Sequence, residues 1–76
     1  MKTSPAFGVV LRQLRLEKNL SQEALAERLH MSSNGYVSRL ESSAKNPRLD
    51  MVFRIAAALD MKAWELVKLV EEKAHE

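Results

Sequence analysis

The chain has 76 residues, 46% apolar and 29% charged, with a net charge of +2, so we expect one small globular domain spanning residues 1–76. The absence of cysteine excludes a disulfide-stapled fold, and the two widely separated histidines offer no zinc-ligand spacing. No apolar run approaches the roughly 18 residues of a membrane span, and no signal-peptide pattern opens the chain. We therefore expect a cytoplasmic protein with no membrane partner, cofactor or metal.

Apolar residues at helical spacing, separated by polar turns, predict an all-α chain of five helices. Ser4 followed by Pro5 predicts an N-cap and the start of the first helix, roughly 5–18. Asn19 tolerates left-handed geometry and is predicted to end that helix. Ser21 is predicted to cap the second helix, of about nine residues, because its hydroxyl can accept from a free backbone N–H.

The second half of the chain predicts three further helices. Val37 and Leu40 form an apolar pair three residues apart, which predicts a short third helix that ends near residue 42. The polar segment that follows, residues 42–48, is predicted to be a loop. The apolar residues that predict the fourth helix are Leu49, Val52, Phe53, Ala56 and Leu59. The fifth helix is predicted from Ala63, Leu66, Val67 and Val70, which define its core direction.

Residues 20–47 read LSQEALAERLHMSSNGYVSRLESSAKNP, with a Ser-Gln start, a Leu-Ala pair, a short turn, a Ser-Arg string and an Asn-Pro. This run resembles the Cro and phage-repressor-like (XRE) helix-turn-helix family. The similarity extends through LRQLRLEKNL before it and RIAAALDM after it, over about residues 6–70. The resemblance implies a five-helix, lambda-repressor-like DNA-binding domain in which the second and third helices form the helix-turn-helix.

A recognition helix rests its apolar side on a scaffold and offers its first turn to the major groove. Arginine can pair bidentately with guanine and asparagine with adenine. Two alternatives stay open, since Arg39 could instead form a surface salt bridge with Glu41 and Asn34 could simply shape the turn. The predicted base-reading residues are Asn34, Gly35, Ser38 and Arg39.

The resemblance also implies phosphate contacts, which position such a protein on DNA. Gln22 follows the predicted cap of the second helix, where the family binds a phosphate. Ordinary solvation is the alternative for the loop residues. The further residues predicted to lie along the sugar-phosphate strand are Ser33, Tyr36, Ser42, Ser43, Lys45 and Asn46.

The turn between the second and third helices departs from the family pattern. Six residues, HMSSNG, separate Leu29 from Tyr36, where the family usually has five. With Ser33 as N-cap the extra residue lengthens the turn, and with Ser32 as N-cap it lengthens the helix; we favour the first. The common glycine of this turn is replaced by His30.

Four other positions can be compared with the family pattern. Arg15 and Glu41 match positions that form an internal ion pair between the first helix and the end of the third. Gly35 stands where the family often places a base-reading side chain, so it either permits close backbone approach or belongs to the turn. Lys62 occupies the usual cap position of the fifth helix, with Asp60 as an alternative cap.

The two parts of the chain differ in net charge and in the surface that each is predicted to form. Residues 1–48 carry a net charge of +4 and contain the predicted DNA face, whereas residues 49–76 carry a net charge of −2. The fifth helix has a wider apolar stripe than one core contact needs, which favours a symmetric homodimer. The alternative is that Trp64 lies flat against the fourth or the first helix and that Leu69 is an isolated exposed apolar residue. The predicted dimer interface comprises Trp64, Val67, Leu69 and Val70.

These observations predict a sequence-specific DNA-binding transcriptional regulator, a homodimer on a (pseudo)palindromic operator in double-stranded DNA. A small repressor or a restriction-modification controller fits this description. The alternative is an antitoxin-like protein-interaction module whose fifth helix binds a partner protein, with DNA binding secondary. An enzyme is not expected, because no spacing brings a nucleophile, a base and an orienting group together.

Overall fold

The computed structural model describes the backbone of residues 3–76 and the side chains of residues 5–76. This part of the chain contains five α-helices and no strand, which confirms the predicted all-α fold. Within it, no helix is both long and apolar enough to cross a membrane. The helices are α1 (Thr3–Glu17), α2 (Gln22–Arg28), α3 (Gly35–Glu41), α4 (Leu49–Ala58) and α5 (Ala63–Ala74).

The ends of α1 and the start of α2 follow local backbone chemistry. The predicted N-cap at Ser4 is wrong, because α1 already begins at Thr3; the Ser4 side chain lies outside the described residues. Asn19 adopts the left-handed conformation, with φ of 58°, and so ends α1 as predicted. Ser21 caps α2 as predicted, since its Oγ accepts a hydrogen bond from the Ala24 N–H at 3.0 Å.

The extra residue lies in the turn between α2 and α3, as favoured from the sequence, and α3 has seven residues. The predicted N-cap at Ser33 is wrong, because Asn34 occupies that position without a side-chain capping bond. Its amide Nδ2 donates instead to Gln22 Oε1 at 3.1 Å, so the side chain binds α2 rather than capping α3. His30, with φ of 61°, takes the left-handed position that follows α2.

The start of α5 also differs in detail from the expectation. Lys62 is the N-cap residue, and its backbone N–H donates to Glu65 Oε1 at 2.8 Å. Asp60 is not the cap, because its left-handed backbone, with φ of 57°, ends the preceding helix. The carboxylate of Glu65 therefore does the capping from inside the first turn.

The core lies where α1 packs against α3 and α5, α4 against α5, and α2 against α3. Two of the apolar residues that predicted α4 lie outside the core: Leu49 is 72% and Phe53 59% exposed. Met51 and Ile55 face the core instead, because α4 is apolar on most of its circumference and spacing alone does not select a face. Val67 of α5, predicted as core, is 50% exposed.

Gly8 sets the distance between α1 and α3. A Cβ at this position would lie 2.7 Å from the backbone carbonyl oxygens of both Leu40 and Glu41. The two helices can approach this closely only because residue 8 has no side chain. Gly8 therefore fixes the end of α3 against α1, next to the position at which Glu41 enters the site.

Candidate nucleic-acid interface

The pair α2 and α3 forms a compact unit with one buried and one exposed side. Leu25 and Leu29 of α2 and Val37 and Leu40 of α3 are buried to 1% exposure or less. Ser38 and Arg39 fall on the other side of α3 and are exposed, whereas Gly35 and Asn34 are partly buried at its start. The predicted reading face is thus a continuous surface on α3 that is anchored from below by apolar packing.

The ion pair predicted between Arg15 and Glu41 is present and largely buried. Arg15 Nε donates to Glu41 Oε2 at 2.6 Å and Nη2 donates to Oε1 at 3.1 Å. Nη1 donates to the Leu20 carbonyl oxygen at 2.8 Å. The hydrogen bond that Arg15 donates to Glu41 raises the pKa of Arg15 above its ordinary value, more than burial lowers it. This bidentate pair ties the end of α3 to α1 and to the segment before α2.

A hydrogen-bonded chain continues from this pair to the start of α3. Gln22 Nε2 donates to Glu41 Oε1 at 3.1 Å, and Asn34 Nδ2 donates to Gln22 Oε1 at 3.1 Å. The side chains of Gln22, Asn34 and Glu41 therefore hold one another in a fixed orientation. Gln22 keeps its second amide hydrogen, and Asn34 keeps its Oδ1, for an outside partner. The sequence did not reveal this relay, because it depends on contacts across the turn.

Arg39 is the one predicted base-reading residue whose charged group is entirely uncommitted. Its guanidinium makes no hydrogen bond or ion pair with residues 5–76. The alternative of a surface salt bridge with Glu41 is not realised, because Arg15 and Gln22 occupy that carboxylate. Ser38 is exposed beside Arg39 on the same surface of α3.

The predicted phosphate-binding residues lie at both edges of this surface. Ser33 is exposed in the turn before α3, and Ser42, Ser43, Lys45 and Asn46 are exposed after it. Ser42 Oγ donates to the Arg39 carbonyl oxygen at 3.2 Å, and Ser43 adopts a left-handed φ of 68°.

Tyr36 connects α3 to the loop that follows it. The ammonium of Lys45 lies 5.7 Å from the centre of the Tyr36 ring, within the range of a cation–π interaction. Burial raises the pKa of the Tyr36 phenol above its ordinary value, and the nearby Asp50 adds to the effect. The ring therefore holds the Lys45 side chain against the first turn of α3.

Two arginines that sequence reasoning missed connect the ends of α2 and α4. Arg54 Nη2 donates to the Leu29 carbonyl oxygen at 2.6 Å, and Arg28 Nη1 donates to the Ala58 carbonyl oxygen at 2.8 Å. Each cation thus binds a carbonyl at the C-terminal end of the other helix, where the partial charge is negative. Their role is structural, and they leave the motif helix α2 fixed to the rest of the core.

A second surface is apolar and lies on α4 and α5. Leu49, Phe53, Trp64 and Val67 line one shallow pocket together, with exposures of 50% to 72%; we call these four residues the α4–α5 apolar face. Val70, a predicted interface residue, is partly buried beside Val67.

The structure separates Leu69 from the other predicted interface residues. Leu69 lies in a groove between α5 and α1, lined by Val10 and Leu14. Leu49 and Phe53 of α4, rather than Leu69, lie beside Trp64. No group of three or more histidine, aspartate or glutamate side chains in the described part of the chain is placed to hold a metal ion.

Similarity to known proteins identifies the family of this chain. The helix-turn-helix family model matches residues 11–63, from the middle of α1 to the start of α5. The chain belongs to the XRE-type helix-turn-helix family. Control protein C.BamHI of Bacillus amyloliquefaciens is 37% identical over 62 residues, which cover 80% of this chain and 75% of that protein.

Solved structures of helix-turn-helix regulators agree with this assignment. The restriction-modification controller protein C.AhdI from Aeromonas hydrophila is 39% identical, with a TM-score of 0.76 over 82% of this chain and 88% of that one. The clp gene regulator ClgR from Corynebacterium glutamicum is 25% identical, with a TM-score of 0.85 over 97% of this chain and 79% of that one. Family membership confirms the predicted class, a helix-turn-helix DNA-binding transcriptional regulator, over the protein-interaction module.

Proposed function

We propose that this regulator binds double-stranded DNA as a homodimer and reads a (pseudo)palindromic operator by placing α3 in the major groove. The observation that carries the proposal is the free guanidinium of Arg39 on the exposed side of a rigidly anchored α3. A side chain that reads base edges must be uncommitted to the protein, while the helix that bears it must be held in place.

The edges of the reading face support phosphate contacts. Gln22 has a spare amide hydrogen that the relay aims away from Glu41, and Lys45 has an exposed ammonium beside Tyr36. We propose that these groups, with Ser33, Ser42, Ser43 and Asn46, contact the sugar-phosphate strands on either side of α3. Such contacts would set the register of the protein on DNA without selecting a sequence.

The biological role that we propose is control of a restriction-modification system. Two relatives, 37% and 39% identical over the aligned residues, are named control protein C.BamHI and restriction-modification controller protein C.AhdI. Each is matched over 75% or more of its length, so the likeness is not confined to the short motif. We further propose that residues 1–76 act as one domain in the cytoplasm, regulating by occupying DNA rather than by a catalytic step.

Substitution of Arg39 tests base reading directly. We expect Arg39→Ala to weaken binding to the preferred duplex by roughly 5- to 100-fold, since one bidentate contact contributes about 1–3 kcal/mol of discrimination. Arg39→Lys keeps the charge but cannot reproduce the two parallel hydrogen bonds, so we expect it to lose most of the sequence preference too. Fluorescence anisotropy with preferred and scrambled duplexes at one stated salt concentration measures both effects.

Lys68→Ala is the matched control, because Lys68 is an exposed cation on α5, away from the two motif helices. It removes one positive charge and is expected to leave the affinity within about twofold. If Arg39→Lys retains the full preference, Arg39 contributes only charge. Base reading by α3 would then be assigned to the wrong residue.

The α4–α5 apolar face supports the homodimer. A second copy of the chain is the occupant that fits, because this face lies on helices outside the helix-turn-helix and leaves α3 uncovered. Two-fold pairing would bury the same four side chains from both copies and present two recognition helices to one duplex. One recognition helix by itself makes too few contacts for a specific operator.

Trp64→Ala tests the homodimer. We expect the dimer dissociation constant to rise by about 30-fold or more, because a central tryptophan typically contributes at least about 2 kcal/mol to an interface. Sedimentation equilibrium over a range of protein concentrations measures the change. Leu69→Ala is the control on the same helix, and it is expected to leave the dimer intact because Leu69 lies against α1. A dimer that survives Trp64→Ala and dissociates in Leu69→Ala would place the interface on the other side of α5.

A further inference from the structure

Gly35 and Arg39 lie one turn apart on the exposed side of α3, and they fit together. A Cβ built on Gly35 would lie 3.2 Å from Nη1 and 3.9 Å from Cζ of Arg39. Ser33 Oγ would also lie near that position, at 3.6 Å. The guanidinium of Arg39 therefore covers the first turn of α3, in space that any other residue at position 35 would share.

This arrangement follows from helix geometry. Residues four apart are neighbours on a helix surface, and long side chains lean back toward the N-terminus, so Arg39 extends over residue 35. A contact of 3.2 Å between a Cβ and a guanidinium nitrogen is closer than ordinary van der Waals contact. A Cβ at position 35 would require the guanidinium to shift by a few tenths of an ångström from its place over the first turn.

Backbone conformation does not explain the glycine. Neither glycine of the chain has a positive φ, so an L-residue with a side chain can adopt the Gly35 backbone. Glycine is also the weakest helix former after proline, which makes it an unfavourable choice within α3. Of the contacts that a Cβ would make at this position, the one with the Arg39 guanidinium is the tightest.

We propose that Gly35 is a positioning residue that determines specificity through Arg39. Because residue 35 has no side chain, the guanidinium lies across the first turn of α3, and from this position Arg39 reads a guanine in the major groove. The inference rests on the proposed DNA-binding function and deepens it, because it makes the base preference a property of the pair rather than of Arg39 alone.

A double-mutant cycle tests this proposal with Gly35→Ala, Arg39→Ala and the variant that carries both. Each protein is titrated with the duplex that the wild type prefers and with duplexes in which each G·C pair of a half-site is replaced singly. We expect Gly35→Ala to weaken binding to the preferred duplex by about fivefold or more. The loss of discrimination should occur at the same base pair at which Arg39→Ala loses it.

In the Arg39→Ala background, Gly35→Ala is expected to change affinity by less than about twofold, because the group it displaces is gone. The melting temperature of the Gly35→Ala protein should equal or exceed that of the wild type, since alanine favours the helix. An equal loss in both backgrounds, or an unchanged base preference, overturns the proposal. A wild-type protein that prefers no duplex overturns the proposed function itself, which is a distinguishable result.

Discussion

Replacement of Arg15 by alanine is expected to lower the melting temperature and the DNA affinity together. The substitution leaves Glu41, whose side chain is 5% exposed, without its counter-ion and removes the donor to the Leu20 carbonyl oxygen. Removing one partner of a buried pair typically costs about 3–5 kcal/mol, which lowers the melting temperature of a domain of this size by roughly 15 °C or more. Thermal unfolding followed by circular dichroism measures the loss.

DNA affinity is expected to fall with stability because the same carboxylate orients Gln22. Once Glu41 loses Arg15, the relay through Gln22 to Asn34 no longer holds the start of α3 to α2. Arg48→Ala is the matched control. Arg48 lies 3.8 Å from Asp50, with side chains 91% and 72% exposed, and such surface pairs contribute little. An Arg15→Ala protein with the wild-type melting curve would remove the pair from this account.

A double variant separates the ion pair's effect on stability from its effect on DNA. Arg15→Met with Glu41→Leu replaces the buried pair by apolar side chains of similar volume, which is often neutral or stabilising. We expect this protein to recover most of the melting temperature. Its DNA affinity should stay reduced, because Gln22 has lost the acceptor that orients its amide. Full recovery of both properties would show that the relay contributes only stability.

Gly8→Ala is expected to have the second large effect, although alanine is the better helix former. The new Cβ would lie 2.7 Å from two backbone oxygens at the end of α3, and backbone cannot move aside as a flexible side chain can. Overpacking of this kind costs typically about 1–3 kcal/mol, against at most about 1 kcal/mol of gain in helix propensity. Chemical denaturation is therefore expected to show a lower free energy of unfolding.

The two glycines of the chain provide each other's control. Gly35→Ala makes the same chemical change in α3, where the nearest atom belongs to the flexible side chain of Arg39. We expect Gly8→Ala to lower stability and Gly35→Ala to leave it unchanged or raise it. Equal effects on the free energy of unfolding would contradict the close approach of α1 and α3 at Gly8.

Much of the fold was predictable from local signals, and the errors have physical causes. Ser21 and Asn19 could be assigned because a cap and a left-handed residue each depend on the adjacent backbone. The buried face of α4 could not be assigned from the sequence, because its own apolar residues occupy most of the circumference of that helix. Leu49 and Phe53 belong to the pattern that predicted α4, and the structure exposes both of them beside Trp64.

The candidate site was predictable where the family pattern names a residue and not where contacts cross the turn. The Arg15–Glu41 pair followed from the resemblance, and the structure contains it. The bond from Asn34 to Gln22 had no sequence signal, whereas the register of Val37 and Leu40 led to Ser33 as the expected cap of α3, one residue before the observed cap. An isolated glycine inside a helical pattern is a signal of close packing, and Gly8 carried that signal.

Selection of bound duplexes from a random pool, at a stated salt concentration, shows whether two copies of α3 read one operator. A dimer that reads the major groove with two copies of α3 predicts a symmetrical site, with half-sites about 34–36 Å apart or a multiple of that distance. Each half-site should contain a G·C pair whose enrichment disappears when the selection is repeated with Arg39→Ala. A pool with no enriched sequence, or with a single unsymmetrical site, would contradict the account.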